Sequence, residues 1–178
     1  RPGSAWALVT GAGSGIGRCY ALRLAALGYR LVIVGNNAAP LEAVAGEIRR
    51  AAGANASASF PEVRVMPMDL ARVGAAQELH DRTAAEGIEI DVVINNAGIF
   101  SFCDILTTPA ERIERIILLH DLTVSQLCRL YAADMVRRGV RGHILNMSSY
   151  SLWMPFPGLA LYSASKAYMR SFSVAFAK

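Results

Sequence analysis

A chain of 178 residues, 53% hydrophobic and 18% charged, fits one globular domain that buries a sizeable core. Its net charge of +4 comes almost wholly from arginine, Lys166 and Lys178 being the only lysines. The arginines cluster only at Arg49-Arg50 and around Arg137, Arg138 and Arg141, where no aromatic residues interleave, so solvated helix ends are expected there and a nucleic-acid surface is excluded.

In chain order, RPGSAW lacks the apolar core of a secretory signal and has no initiator methionine, so the start reads as trimmed. Ala5 to Thr10 is an apolar, strand-like run that breaks into a glycine turn, and Ile16, Tyr20, Leu24 and Leu27 then recur at helical spacing up to a stop at Gly28. Arg30 to Val34 is a second buried strand ended by Gly35-Asn36-Asn37, and Leu41, Val44, Ala45 and Ile48 mark one face of a helix over Leu41 to Ala52. Gly53 to Pro61 is a small, polar surface loop. Val63 to Met68 forms a third strand ending in Asp69-Leu70, Val73 to Ala85 a helix, and Asp91 to Asn95 a fourth strand that runs into Asn96-Ala97-Gly98. Thr108, Pro109 and Glu111 are start signals for one long helix reaching Arg138, with a stop at Gly139. His143 to Met147 is a fifth strand running into Ser148-Ser149, and a last helix covers Leu161 to Ala177. No apolar run reaches the length of a membrane span. Cys19, Cys103 and Cys128 are too scattered for a disulfide framework, and His80, His120 and His143 for a metal site, so no metal is expected. The three thiols read as buried small apolar residues in a cytoplasmic protein.

Five strands alternating with helices predict a doubly wound parallel sheet of three α/β/α layers with right-handed crossovers, a single Rossmann-type domain over 1–178. Ligands bind such a sheet outside the carboxyl ends of its strands. Function is therefore sought at Thr10 to Gly17, Gly35 to Asn37, Asp69-Leu70, Asn95 to Gly98 and Ser148-Ser149. The glycine turn lets backbone N–H groups approach a pyrophosphate, and the following helix aims its positive end at the same anion. Tyr162 and Lys166 stand four residues apart on one helical face. Lowering a phenol pKa by three units takes about 4 kcal/mol of preferential stabilisation of the anion, much of which a nearby ammonium in a water-poor crevice supplies.

Four features in order, T-G-x-x-x-G-x-G at Thr10 to Gly17, N-N-A-G at Asn95 to Gly98, Ser149, and Y-x-x-x-K thirteen residues beyond that serine, make the chain resemble the short-chain dehydrogenase/reductase family over essentially its whole length. The resemblance implies an NAD(P)-dependent alcohol dehydrogenase or carbonyl reductase, moving a hydride between nicotinamide C4 and a carbonyl or carbinol carbon of a small-molecule substrate. Tyr162 would be the acid in reduction and the base in oxidation; Ser149, with Ser148 as competitor, would bond the substrate oxygen. Lys166 would lower the phenol pKa and hold the nicotinamide ribose. The turn Gly11, Gly13, Ser14, Gly15, Ile16 and Gly17 would hold the pyrophosphate, and Asn95, Ala97 and Gly98 would line the cofactor floor near the adenosine ribose and support the central strand. Asp69 would accept from the adenine amino group, with Leu70 against the ring. A homodimer or homotetramer is implied, with the long helix and the last helix as contacts.

Two positions depart from the family pattern. His120 stands where an asparagine usually completes the catalytic set by helping to hold a water that relays protons to the lysine. Three readings are open: a substitute relay member, a packed helix histidine, or impaired catalysis, the last keeping a noncatalytic NADP(H) sensor or scaffold as the rival function. Asp121 could orient the ring only if the helix were locally distorted. Gly35 and Asn36 replace an acid that would select NAD and an arginine that would select NADP; with no acid to repel a 2′-phosphate and with Asn36 and Asn37 able to donate, NADP(H) is favoured over NAD(H). An extended-type nucleotide-sugar epimerase is disfavoured by the glycine spacing. The chain stops at Lys178, where the family continues with further strands and a substrate-covering segment, so it reads as truncated there. Trp153, Met154, Phe156 and Phe100 are left as candidates for an apolar substrate pocket or for loop packing.

Overall fold

The computed structural model describes residues 4–53 and 62–177; the expected loop residues 54–61 lie outside the described set. Five strands, β1 (Trp6–Thr10), β2 (Arg30–Gly35), β3 (Val63–Pro67), β4 (Ile90–Asn95) and β5 (His143–Asn146), form one parallel sheet in the order β3-β2-β1-β4-β5. The order reverses direction between β1 and β4, which opens a crevice at their carboxyl ends. Successive residues of a strand face opposite sides. Trp6 and Leu8 accordingly join a core with Val34, Met66, Leu79 and Tyr131, while Ala7 and Val9 join another with Ile33, Leu41 and Ile48. Leu8, Leu31 and Ile33 are fully buried, each contributing about 1.5–3 kcal/mol relative to exposure.

The helices are α1 (Gly15–Ala26), α2 (Ala38–Gly53), α3 (Ala75–Ala85), α4 (Ala110–Ile117), α5 (Val124–Arg137) and α6 (Ala160–Phe176). Helix α2 begins three residues earlier than the periodicity suggests, because the Asn37 side chain accepts from the Ala39 N–H at 3.1 Å and Pro40 suits a first turn. The largest difference from expectation lies in the long helix. Between α4 and α5 the chain makes a π-helical segment, Leu118–Thr123, and no glycine or proline announces it. It is held by tertiary bonds: Thr123 Oγ1 donates to Leu70 O at 2.9 Å, and His120 is bonded at both ring nitrogens. Among the described residues no helix is long and apolar enough to cross a membrane. Cys128 is buried as expected, but Cys19 and Cys103 are exposed, since each falls on an outward-facing position of α1 or of the loop after β4.

Candidate active site

The glycine turn and the segment after β4 lock together. Thr10 Oγ1 donates to Ile94 O at 3.4 Å and accepts the N–H groups of Asn96 and Ala97 at 3.0 Å. The Asn96 side chain donates back to Thr10 O at 3.1 Å and Gly11 O at 3.3 Å. This packing explains two glycines. A Cβ on Gly11 would sit 2.8 Å from Ala97 Cα, and one on Gly17 would overlap the Gly11 carbonyl. Gly15 differs in that a Cβ there would meet nothing; it is left-handed, with φ of 52°, as Gly11 is with φ of 65°. Ser14 precedes α1 without capping it by its side chain, so first-turn N–H groups stay free for an anion.

The crevice has a volume of about 440 Å³ and is walled by Gly11, Gly13, Ser14, Gly15 and Ile16 on one side and by Gly35, Asn36 and Asn37 on another. Asp69, Leu70, Ala97 and Gly98 close it. Gly17 is absent from this wall because it is the contact between α1 and the turn. Asn95 is also absent from this wall, and its bonding is that of a residue supporting the central strands. Its side chain is 2% exposed and donates to Asn146 Oδ1 at 2.8 Å, tying β4 to β5, so it points into the sheet packing. Sequence reasoning missed Arg115, whose guanidinium donates to both Asp69 oxygens at 3.0 and 3.3 Å. Burial alone would raise the Asp69 carboxyl, but the Ala71 N–H and Arg115 outweigh it and hold it below the usual carboxylate range. Among the described residues that line the crevice, only Asp69 and Arg115 carry charge. Arg115 is one of two arginines of α4, with Arg112, and no sequence signal singles it out before Asp69 is seen opposite it.

At its inner end the crevice meets α6 through Gly98, where a Cβ would lie 3.2 Å from His120 Nε2 and 3.8 Å from Lys166 Nζ. Lys166 is 4% exposed and donates to Met147 O at 2.9 Å. Burial depresses its ammonium pKa, and Asp121 opposes that shift. The Lys166 ammonium lies 5.7 Å from the Tyr162 ring centroid, and the edges of His120 and Phe100 pack on the same ring at 5.9 and 5.2 Å. Ser148 Oγ donates to the Lys166 carbonyl at 2.9 Å and is thereby committed to α6. Ser149 accepts from Ser151 N–H at 3.2 Å and Ser151 Oγ–H at 3.0 Å, starting the 3₁₀ turn Tyr150–Leu152. Among the described residues no hydrogen bond joins the Tyr162 hydroxyl to Ser149.

His120 is fully buried. Its Nε2 accepts the Ile99 N–H at 2.9 Å, which places the proton on Nδ1, and Nδ1–H donates to Ser165 Oγ at 2.8 Å. Ser165 in turn donates to Tyr162 O at 2.8 Å. Burial, with the nearby Lys166 charge, pushes the imidazole down to about 4, so it stays neutral with both nitrogens occupied.

A parallel sheet with this strand order, a glycine turn at β1 and an open crevice at the switch define a Rossmann-type α/β domain. The short chain dehydrogenase family profile matches residues 5–178, and the chain belongs to that family. It is 37% identical over 175 residues to a very-long-chain 3-oxoacyl-CoA reductase of Anas platyrhynchos, covering 95% of this chain and 53% of that protein. A namesake from Pyrenophora tritici-repentis is 33% identical over 178 residues, covering 99% and 50%. Among solved structures, a short-chain dehydrogenase from Sphingobium yanoikuyae in complex with NADPH superposes with a TM-score of 0.85 at 32% identity, covering 96% of this chain and 64% of that one. The bulky-bulky ketone specific alcohol dehydrogenase from Comamonas testosteroni gives 0.85 at 28% identity, covering 97% and 66%. The chain thus spans about half the length of these curated relatives.

Proposed function

We propose that this chain is the cofactor-binding and catalytic part of an NADP(H)-dependent carbonyl reductase or alcohol dehydrogenase. The observation that carries the reading is a buried lysine of lowered pKa beside the Tyr162 ring, at the inner end of a crevice whose backbone suits a dinucleotide. The residues fit that cofactor. First-turn N–H groups of α1 are uncapped, Gly15 leaves its surroundings open, and the walls offer donors in Ser14, Asn36 and Asn37. When bound, a nicotinamide dinucleotide supplies or accepts the hydride at its C4. Ser149 holds the substrate oxygen, and Tyr162 gives that oxygen a proton in reduction or takes one in oxidation. Lys166 stabilises the phenolate and would bond the nicotinamide ribose. Asn36 and the Nδ2 of Asn37, whose Oδ1 is used in starting α2, would donate to a 2′-phosphate, with no acid at position 35 or 36 to repel it.

Phe100, packed edge-on against Tyr162, and the exposed Phe102, Trp153 and Phe156 of the loops before α4 and α6 support a bulky apolar carbonyl substrate, in keeping with the names of the relatives. The stacked ladder Tyr168, Phe172 and Phe176 on α6 supports a homo-oligomer joined through that helix. Three free cysteines fit a reducing, cytoplasmic setting. The test is turnover of a panel of bulky ketones with NADPH and with NADH, for the wild type and for Tyr162→Phe. NADPH-linked reduction that is lost in the variant while NADPH still binds is expected; a strong preference for NADH overturns the cofactor assignment. Binding of NADPH with no turnover of any ketone would instead identify a noncatalytic binder.

A further inference from the structure

A second cavity, of about 340 Å³, opens between the loop after β4, with Phe100, Phe102 and Cys103, and the start of α4, with Thr108 and Arg112. The two cavities meet at consecutive residues. Gly98 and Ile99 line the dinucleotide crevice, and Phe100, the next residue, lines the second cavity while its ring packs edge-on against Tyr162 at 5.2 Å. The same loop is tied to the segment that leads into α6: the Cys103 N–H donates to Gly158 O at 2.9 Å, and Phe102 packs so closely on Gly158 that a Cβ there would lie 3.3 Å from its ring. A ligand held at Tyr162 can thus extend past the Phe100 ring into the second cavity.

The chemistry of the wall limits what could lie there. Phe100 and Phe102 offer aromatic surface to an apolar body. Thr108 Oγ1 and Thr107 Oγ1 both donate to Asp104 O, at 2.7 and 3.2 Å, and so have no proton left for a ligand. Arg112 differs. Among the described residues that line the cavity it alone is charged, and it forms no ion pair with a described carboxylate, whereas Arg18, Arg72, Arg115 and Arg138 each do. Its Nη2 donates to Phe100 O at 2.8 Å, which fixes the guanidinium against the residue that touches Tyr162 and leaves its other N–H groups for another acceptor. Its charge reaches the cavity as well. Hydrogen bonds with Ser101 and Thr108 do most to lower the Cys103 thiol, and of the two charges that act on that thiol the lowering by Arg112 exceeds the raising by Asp104.

We propose that the second cavity is a substrate subsite, in which Arg112 pairs with a carboxylate carried on the apolar body of the carbonyl compound whose C=O lies at Tyr162. The inference rests on the reductase reading above and narrows it: the substrate class is an oxo acid whose acid group is remote from the reacting carbonyl. A planar guanidinium already held by one backbone bond suits a carboxylate, because little further ordering is needed to form the pair. A neutral ester of the same acid keeps the contacts with the two phenylalanines and loses the ion pair, so the subsite reads charge as well as bulk.

The first test needs no turnover. Cys103 and Cys19 are both exposed, and only Cys103 lies in the cavity. Alkylation by iodoacetamide, a neutral reagent, is followed at each thiol by peptide mass spectrometry, with and without 4-oxo-4-phenylbutanoate, 5-oxo-5-phenylpentanoate, 6-oxo-6-phenylhexanoate or their methyl esters. At least one acid should slow Cys103 about fivefold where its ester slows it less than about twofold, the reach of one partly exposed charged pair. Cys19 should be unaffected, and the protection should vanish in Arg112→Met and return in part in Arg112→Lys. Arg112 is exposed, so neither variant disturbs the core. Protection by none of the acids, equal protection by acid and ester, or protection undiminished in Arg112→Met overturns the proposal. The second test compares NADPH-linked kcat/KM for each acid and its ester. The better acid should exceed its ester about fivefold, mostly through KM, and Arg112→Met should bring the ratio to about one. A wild-type ratio at or below one, or turnover of neutral ketones but of none of the acids, refutes the subsite. Wild-type protein that turns over no ketone fails the reductase reading instead, and the thiol protection still decides whether the cavity takes a carboxylate.

Discussion

His120→Asn tests whether the imidazole is a neutral structural clamp. At pH 7.5 an asparagine carbonyl can accept the Ile99 N–H and its amide can donate to Ser165, but the shorter side chain leaves a gap, so a loss of about 1–2 kcal/mol is expected. The pH dependence carries more information. The folded pKa of about 4 lies below the ordinary imidazole value of 6.5, so the unfolded chain binds the extra proton first as pH falls. Wild-type stability from this group is therefore full above pH 6.5, is lost steadily between 6.5 and 4, and changes no further below. The full loss is about 3 kcal/mol, and by pH 5 about 2 kcal/mol has gone. Asp121 works in the opposite direction, since its carboxyl is raised to about 6 and the folded state takes up that proton first. The wild-type curve alone mixes the two; the difference between wild type and His120→Asn isolates the histidine. Urea unfolding of both proteins at pH 7.5 and pH 5 should show the wild-type advantage shrinking by about 2 kcal/mol and even reversing sign. An advantage constant within about 0.5 kcal/mol across this range would mean that His120 titrates normally in the fold, and the clamp argument would fail.

Gly17→Ala should cost more than about 2 kcal/mol in thermal or chemical denaturation, because the new methyl would overlap the backbone carbonyl of Gly11, which cannot swing aside. Gly15→Ala should cost only about 1 kcal/mol, from left-handed strain, and should show its main effect as weakened NADPH binding in a fluorescence titration. Equal destabilisation by the two would contradict the different jobs assigned to these glycines. Arg115→Ala should let the Asp69 carboxyl rise toward its ordinary range and weaken binding of 2′,5′-ADP several-fold by calorimetry, with little change in melting temperature. Undiminished binding would leave Arg115 a surface partner of Asp69 only.

The architecture was legible because the three central strands, β1, β2 and β4, are apolar on both faces, and most helices carry their own period. RLVIV at Arg30 to Val34 admits few readings other than a covered strand. The crevice was legible for a related reason: residues that must approach a phosphate or another backbone closely are glycines, and glycine is visible in a sequence as no contact is. Positions whose significance lies in a partner were not legible. Arg115 reads as one more helical arginine until Asp69 is seen opposite it, and Asn95 reads as part of N-N-A-G until Asn146 is found across the β4–β5 ladder. Cys19 and Cys103 mislead in the same way, since composition says nothing about which way a small side chain faces.

The π-helical segment shows why local rules fail where they do. Nothing between Leu118 and Thr123 disfavours an ordinary helix. The irregular turn exists because bonds from outside it outweigh the poorer internal geometry: Leu70 O accepts from Thr123, Ile99 N–H donates to His120, and Ser165 receives the imidazole proton. Those bonds connect the ends of β3 and β4 to α6, so the same distortion that a propensity scale cannot see also fixes Tyr162 and Lys166 relative to the crevice. An asparagine at 120 would make shorter links of the same kind, whereas an aliphatic residue would make none. The local distortion is therefore coupled to the catalytic geometry, and a substitution that straightened the helix would be expected to disturb the Tyr162 helix even where it spared every residue that touches a ligand.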